Sequence, residues 1–349
     1  VRLAEPRLTR VPNTPPIGLG EPMPRRLSTT LALLAPAACA SIALAQPAGQ
    51  PTGAELERVP TKPAKPAEPD APAGQGGNGL AFDLKAWTEH VFRADVHDSQ
   101  ADVAITRFGG QFGISGPIGE RWRWNVEAAA EASWYDFSRL STLVGVDDPV
   151  EDVLQITLTP SLLYRHSDSL SFLAGGIIQF SGEPDADVSD TATYGGFFGS
   201  RWKISDSFSL QLGAAVKTRL EENVRFFPAI GFQWQINERV MLATEGAGLR
   251  LSADLNPQWT FFLEGGYALR EFRLDHRDSG PLDEGVFRDE RVTIGAGFDY
   301  KPSLNTTISL TGGAAVWSQF RFDNRDGIEI AEEEADPTAY VGLTVRFRF

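Results

Sequence analysis

Apolar and polar residues alternate one for one through the last ten positions, YVGLTVRFRF. Val341, Leu343, Val345, Phe347 and Phe349 fall on one face, and Tyr340, Gly342, Thr344, Arg346 and Arg348 on the other. A period of two is the mark of a strand with one apolar face. The pattern recurs upstream. Phe208, Leu210, Leu212, Ala214 and Val216 oppose Ser209, Gln211 and Lys217; Leu154, Ile156, Leu158 and Leu162 oppose Gln155, Thr157, Thr159 and Ser161; Val292, Ile294, Ala296 and Phe298 oppose Arg291, Thr293, Gly295 and Asp299. Several of these segments exceed the five or six residues or so of an ordinary soluble strand. They match the roughly nine to eleven residues of a tilted membrane-crossing strand.

The pattern divides the chain into fourteen such segments, near 84–97, 101–116, 121–138, 150–166, 170–182, 191–203, 207–220, 225–236, 239–245, 246–254, 258–275, 290–301, 305–322 and 337–349. The expected fold is all-β, a closed antiparallel transmembrane β-barrel of about 14 strands. If 239–254 is one bent strand, twelve is the alternative. Connections alternate in length as such barrels require, short at the periplasmic end and longer at the outer end. Pro117–Glu120, Ser167–Ser169, Ile204–Asp206, Asn237–Glu238, Leu255–Pro257 and Pro302–Leu304 are the short ones, and 139–149, 183–190, 276–289 and 323–336 the long ones. Trp122, Trp124, Trp202, Trp234, Trp259 and Tyr300 sit beside the short turns, and Trp134 and Tyr194 near the other rim, as two aromatic girdles would.

Composition adds to this. The 349 residues contain 34 glycines, 22 phenylalanines and one cysteine, which suits many hairpins rather than a helical or disulfide-stapled chain. No mature segment reaches the roughly 18 consecutive apolar residues of a spanning helix. Met23-Pro24-Arg25-Arg26, the apolar stretch to Leu44 and Ala43-Leu44-Ala45 have the three-part layout of a secretory signal peptide over 23–45. Residues 1–22 read as an upstream extension. The Pro-, Ala- and Gly-rich segment 46–80 has too few large apolar residues to offset ordering and reads as a disordered periplasmic tail. The barrel is then 81–349.

Extending the alternation turns a basic face toward the lumen. It carries Arg93, Arg107, Arg123, Arg165, Arg201, Lys217, Arg219, Arg250, Arg270, Arg291 and Arg321, set against Glu127, Glu131 and Glu264. The chain as a whole has a formal net charge of −14, so the acidity belongs to loops such as 183–190 and 323–336. A basic pore favours anions. The expected function is a diffusion channel or transporter for small solutes with a preference for anions. The alternative is a closed structural or adhesive barrel that presents acidic loops.

The C-terminal run Tyr340-x-Gly342-x-x-Val345-x-Phe347 with terminal Phe349 resembles the assembly signal of bacterial outer-membrane β-barrel proteins, including barrel families of unknown function. The resemblance covers roughly 82–349. It implies the outer membrane of a Gram-negative bacterium, a surrounding of lipid and lipopolysaccharide, handling by the barrel assembly machinery, and a monomer.

Chemistry is sparse. His97-Asp98-Ser99 has the spacing used by outer-membrane phospholipases, but it falls on a connection and lacks an orienting third group. Counting back from Gly327 as the sixth position of a calcium loop puts Phe322 where an aspartate is needed. No enzyme, cofactor, metal or nucleic-acid partner is expected.

Overall fold

The computed structural model describes residues 79–96, 101–139, 149–150, 152–221, 224–277 and 280–349. The signal peptide, the upstream extension, all but the last two residues of the tail, and His97, Asp98 and Ser99 lie outside the described residues. The strands are β1 (Ala81–Asp95), β2 (Asp102–Ile118), β3 (Trp122–Ser138), β4 (Asp152–Arg165), β5 (Leu170–Gly182), β6 (Ala192–Lys203), β7 (Phe208–Lys217) and β8 (Arg225–Gln235). They continue with β9 (Val240–Glu245), β10 (Gly248–Asn256), β11 (Trp259–Arg273), β12 (Val286–Ser303), β13 (Thr306–Asp323), β14 (Glu329–Ala335) and β15 (Thr338–Arg348).

From β1 to β14 each strand pairs antiparallel with the next, β15 pairs with β13 and with β1, and the sheet closes on itself. Both β14 and β15 pair with β13, the first along its outer part and the second along the rest. They are one wall strand interrupted at Asp336 and Pro337, and the wall has fourteen strands. Segment 323–336, expected as a loop, is therefore mostly a hairpin that carries the sheet outward. Segment 239–254 is two strands: Gly246 takes a φ of 53° and reverses the chain between β9 and β10.

Closure is completed at the chain end. Phe349 N–H donates to Phe82 O at 2.9 Å, and Phe82 N–H donates to Phe349 O at 2.9 Å. Beside them Arg348 and Arg346 lie opposite Asp83 and Lys85. No hydrocarbon-exposed backbone group can turn to water, so a closed ladder is the form a sheet takes in a bilayer.

The alternation becomes an outer and an inner surface. Leu84, Phe108, Phe112, Leu154, Ile156, Phe198, Ile294, Phe298, Leu310 and Leu343 are exposed on the outside. An apolar outer belt of this kind belongs to a barrel that sits in lipid. Both girdles stand where the sequence puts them, with Trp122 tilted against Tyr164 at 4.7 Å and Trp259 against Tyr300 at 4.8 Å near the short turns. Exposed Trp134 and Tyr194 lie nearer the other rim. From the terminal signature, Val345 and Phe347 face lipid, while Tyr340 and Gly342 face inward.

Where strands pack closest, glycine is required. A Cβ on Gly297 would overlap the Leu310 carbonyl of the neighbouring strand and the Phe262 ring inside the barrel. Gly297→Val should destabilise the barrel by about 2 kcal/mol, within the range for overpacking. Urea unfolding in detergent, followed by the loss of heat-modifiable gel mobility, measures it.

Candidate functional site

The interior is built in tiers. At the outer end, inward residues from both sides of the wall fill the lumen. Val91, Val103, Ile105, Tyr135, Phe137 and Val153 of β1–β4 meet Phe272, Phe287, Phe320 and Phe322 of β11–β13. Tyr135 stands edge-on to Phe287 at 4.9 Å, and Phe137 edge-on to Phe320 at 5.6 Å. Aromatic pairs in this geometry add to the burial of their area. The outer mouth is an apolar core.

Below it lies a tier of charge. Arg107 Nη1 donates to Glu89 Oε1 at 2.6 Å, and its Nη2 pairs with Asp289 across the lumen. Tyr135 donates its hydroxyl to Asp289 Oδ2 at 2.8 Å, and Arg291 Nη2 donates to Asp289 Oδ1 at 3.2 Å. Arg270 Nε donates to Glu131 Oε1 at 2.7 Å, and Trp87 Nε1 to Glu131 Oε2 at 3.2 Å. Arg107 and Asp289 are each 1% exposed. Charges buried this deeply are held by their partners.

The periplasmic half is polar. Arg250 stacks on Phe262 at 3.6 Å and binds Asp299 at 2.8 and 2.9 Å, with Glu264 at 3.4 Å and Glu245 at 3.8 Å. Arg201 Nη2 donates to Gln233 Oε1 at 2.9 Å, and Arg346 Nε to Asp83 Oδ2 at 2.8 Å. Arg123, Glu127 and Arg165 share this inner face by register, with Arg165 exposed at the periplasmic rim.

The outer ends of β11 and β12 run inward across the mouth. Glu271, Arg273 and Arg288 are on the face that should meet lipid, yet Arg273 and Arg288 are buried. They are covered by the far side of the barrel. Glu183 N–H donates to Arg273 O at 2.9 Å, Arg219 Nε donates to Glu271 Oε1 at 2.7 Å, and Glu221 pairs with Arg273. Arg273 even pairs with Gly182 of β5, with five wall strands lying between β11 and β5.

This crossing leaves a breach. Strand β8 pairs with β9 through three residues only, Gln233 to Gln235. At its upper limit the Thr244 hydroxyl takes over, accepting from Phe232 N–H at 3.0 Å. The β9–β10 hairpin ends at Gly248, opposite Gly266, while β11 continues to Arg273. Among the described residues, β8 above Phe232 and β11 above Gly266 have no strand between them. Behind the breach is a second apolar cluster, Phe197, Ala215 and Ala229 with Leu173, Ile177 and Phe227. It is capped by Lys217, whose Nζ donates to Gln179 Oε1 at 2.8 Å, and by buried Thr193.

Several residues depart from the expected lining. Arg93 and Arg321 are on the outer surface of the rim. A bulge between Val91 and Ala94 turns Arg93 outward onto Asp102 and Asp136. An extra residue near Val316 shifts β13 by one, sending Phe320 and Phe322 inward and Arg321 out to Asp323 at 2.8 Å. Arg219 lies beyond β7 and clasps β11 rather than lining the wall. Arg107, Arg201, Lys217, Arg250, Arg270 and Arg291 do face inward, with Glu131 and Glu264. The lumen is less basic than expected, because Asp83, Glu245 and Asp289 also point inward. Asp83 and Asp289 each lie one residue outside the expected strand limits.

No protein-family model matches the chain, and no curated protein does. Solved structures of similar fold include a TodX monoaromatic hydrocarbon channel mutant, at TM-score 0.44 and 11% identity over 78% of this chain and 90% of that one. A FadL homologue from Pseudomonas aeruginosa follows at 0.42 and 14% identity, over 77% and 90%. The KdgM porin in complex with disordered oligogalacturonate scores 0.31 at 11% identity, over 77% and 99%. The likeness is one of fold.

The tiers predict different reactivity. Single cysteines replacing Gln211 or Gln233 should react with a membrane-impermeant anionic maleimide in minutes. Cysteines replacing Ser133 or Ser318, buried at the charge tier, should stay unlabelled over the same time. Gel shift of refolded protein reads both.

Proposed function

We propose that this chain is an outer-membrane channel whose solutes pass through the wall between β8 and β11 rather than along the barrel axis. The missing strand pairing above Phe232 carries the reading, because backbone left open in a bilayer needs a lined path or an occupant. The outer axial mouth is filled by aromatic side chains, which leaves no straight path for a hydrated solute. The breach instead lies beside the apolar cluster of Phe197, Ala215 and Ala229, inside the wall. An apolar lining capped by Lys217 and Gln179 suits small solutes with an apolar body and one hydrogen-bonding end.

Anion preference finds less support than the sequence suggests, since Arg107, Arg250, Arg270 and Arg291 each share carboxylates. The filled mouth also favours a second reading, a closed barrel whose role lies in its outer loops.

Flux separates the two. Proteoliposomes with lipopolysaccharide in the outer leaflet should take up a small phenol faster than empty ones. Ala229→Trp, which puts an indole into this cluster, should cut the protein-dependent rate about tenfold. Wild-type uptake no faster than the lipid background would instead support the closed barrel.

A further inference from the structure

The charge tier divides along a line. Glu89, Arg107 and Glu131 belong to β1–β3 and sum to one negative charge; Arg270, Asp289 and Arg291 belong to β11–β12 and sum to one positive charge. Three of the contacts that join the tier run between the two arcs: Arg107 to Asp289, Arg270 to Glu131 at 2.7 Å and Tyr135 to Asp289 at 2.8 Å. Arg291 Nη1 adds a longer ion pair to Glu89 at 3.8 Å. The aromatic tier above splits along the same line, with Tyr135 and Phe137 on one side and Phe272, Phe287, Phe320 and Phe322 on the other.

A permanent filling would not be built this way. Replacing buried ion pairs by apolar side chains of similar volume is often neutral or stabilising, so charge at this depth is a weak source of stability. The closed arrangement also leaves donors short. Arg107 Nε and Arg291 Nε and Nη1 are buried without a hydrogen-bond partner among the described residues. Incomplete satisfaction lowers the cost of parting the two arcs, because the donors gain water when they separate.

We propose that this seam is a reversible gate: the complementary arcs of β1–β3 and β11–β12 hold the outer mouth shut, and parting them opens an axial pore. Arg270 and Glu131 form the latch most open to test, since their pairing sits at the seam and each lies on a separate arc. The gate is independent of passage through the wall, which the phenol flux measures.

Planar-bilayer recording of the refolded full barrel tests it. Wild type should be silent for most of the record. Glu131→Gln and Arg270→Gln each cancel the attraction between arcs and should raise open probability about tenfold, the change expected from one lost charge-assisted hydrogen bond. The charge-swapped pair, Glu131→Arg with Arg270→Glu, should return the barrel to wild-type silence. Tyr135→Phe, which removes a bond across the seam to Asp289 without stranding a charge, should give a smaller rise and serves if a single charge variant fails to fold. Neutralised and Tyr135→Phe variants as silent as wild type would overturn the gate, as would a swapped pair as open as the single variants.

Discussion

Backbone hydrogen bonds that water cannot replace set the terms for this protein. Strand edges within the lipid need partners, and the closing contact of Phe349 with Phe82 supplies them between the first and last strands. Once the ring is closed, side-chain direction follows from register. Alternate residues face lipid or lumen, and a single inserted residue reverses the assignment for the rest of a strand. The inner tiers and the outer belt both derive from this pairing.

The interior meets a second demand. A fourteen-stranded wall encloses more space than inward side chains fill unaided. Here the outer ends of β11 and β12 cross the mouth and divide it. One face of this tongue packs on β1–β4 through aromatic rings, and the other is clasped by Arg219, Glu221 and Glu183 from the opposite wall. The same crossing draws β11 away from β8, so the sealed mouth and the open wall are two results of one displacement.

Much of the wall was legible in the sequence. Alternation located all fourteen wall strands, the girdle aromatics and the short turns, because period and turn length are local properties, while the expected loops 276–289 and 323–336 turned out to be partly strand. Arg93 and Arg321 were misplaced for the complementary reason: the bulges at Val91/Ala94 and near Val316 depend on how neighbouring strands register. Strand limits short by one residue hid Asp83 and Asp289, and with them the neutralising half of the lumen. The contacts of Arg107 with Asp289 and of Glu271 with Arg219 join residues 182 and 52 positions apart, and no spacing rule reports them.

The position of one turn decides where the wall fails. Strand β9 has six residues and β11 has fifteen, so the intervening hairpin stops near mid-height. Gly246 permits the reversal with its positive φ, and Gly248 must be glycine because a Cβ there would overlap the Gly265 carbonyl. Glu245, last in β9, stays inside near Arg250 rather than entering the lipid. A hairpin extended by two residues per strand would carry its turn toward the outer rim, where β11 has already left for β5. Pairing on both sides at that height is then impossible unless β11 returns to the wall, and its return would unseat Phe272 from the core. The breach and the plug are linked through β11.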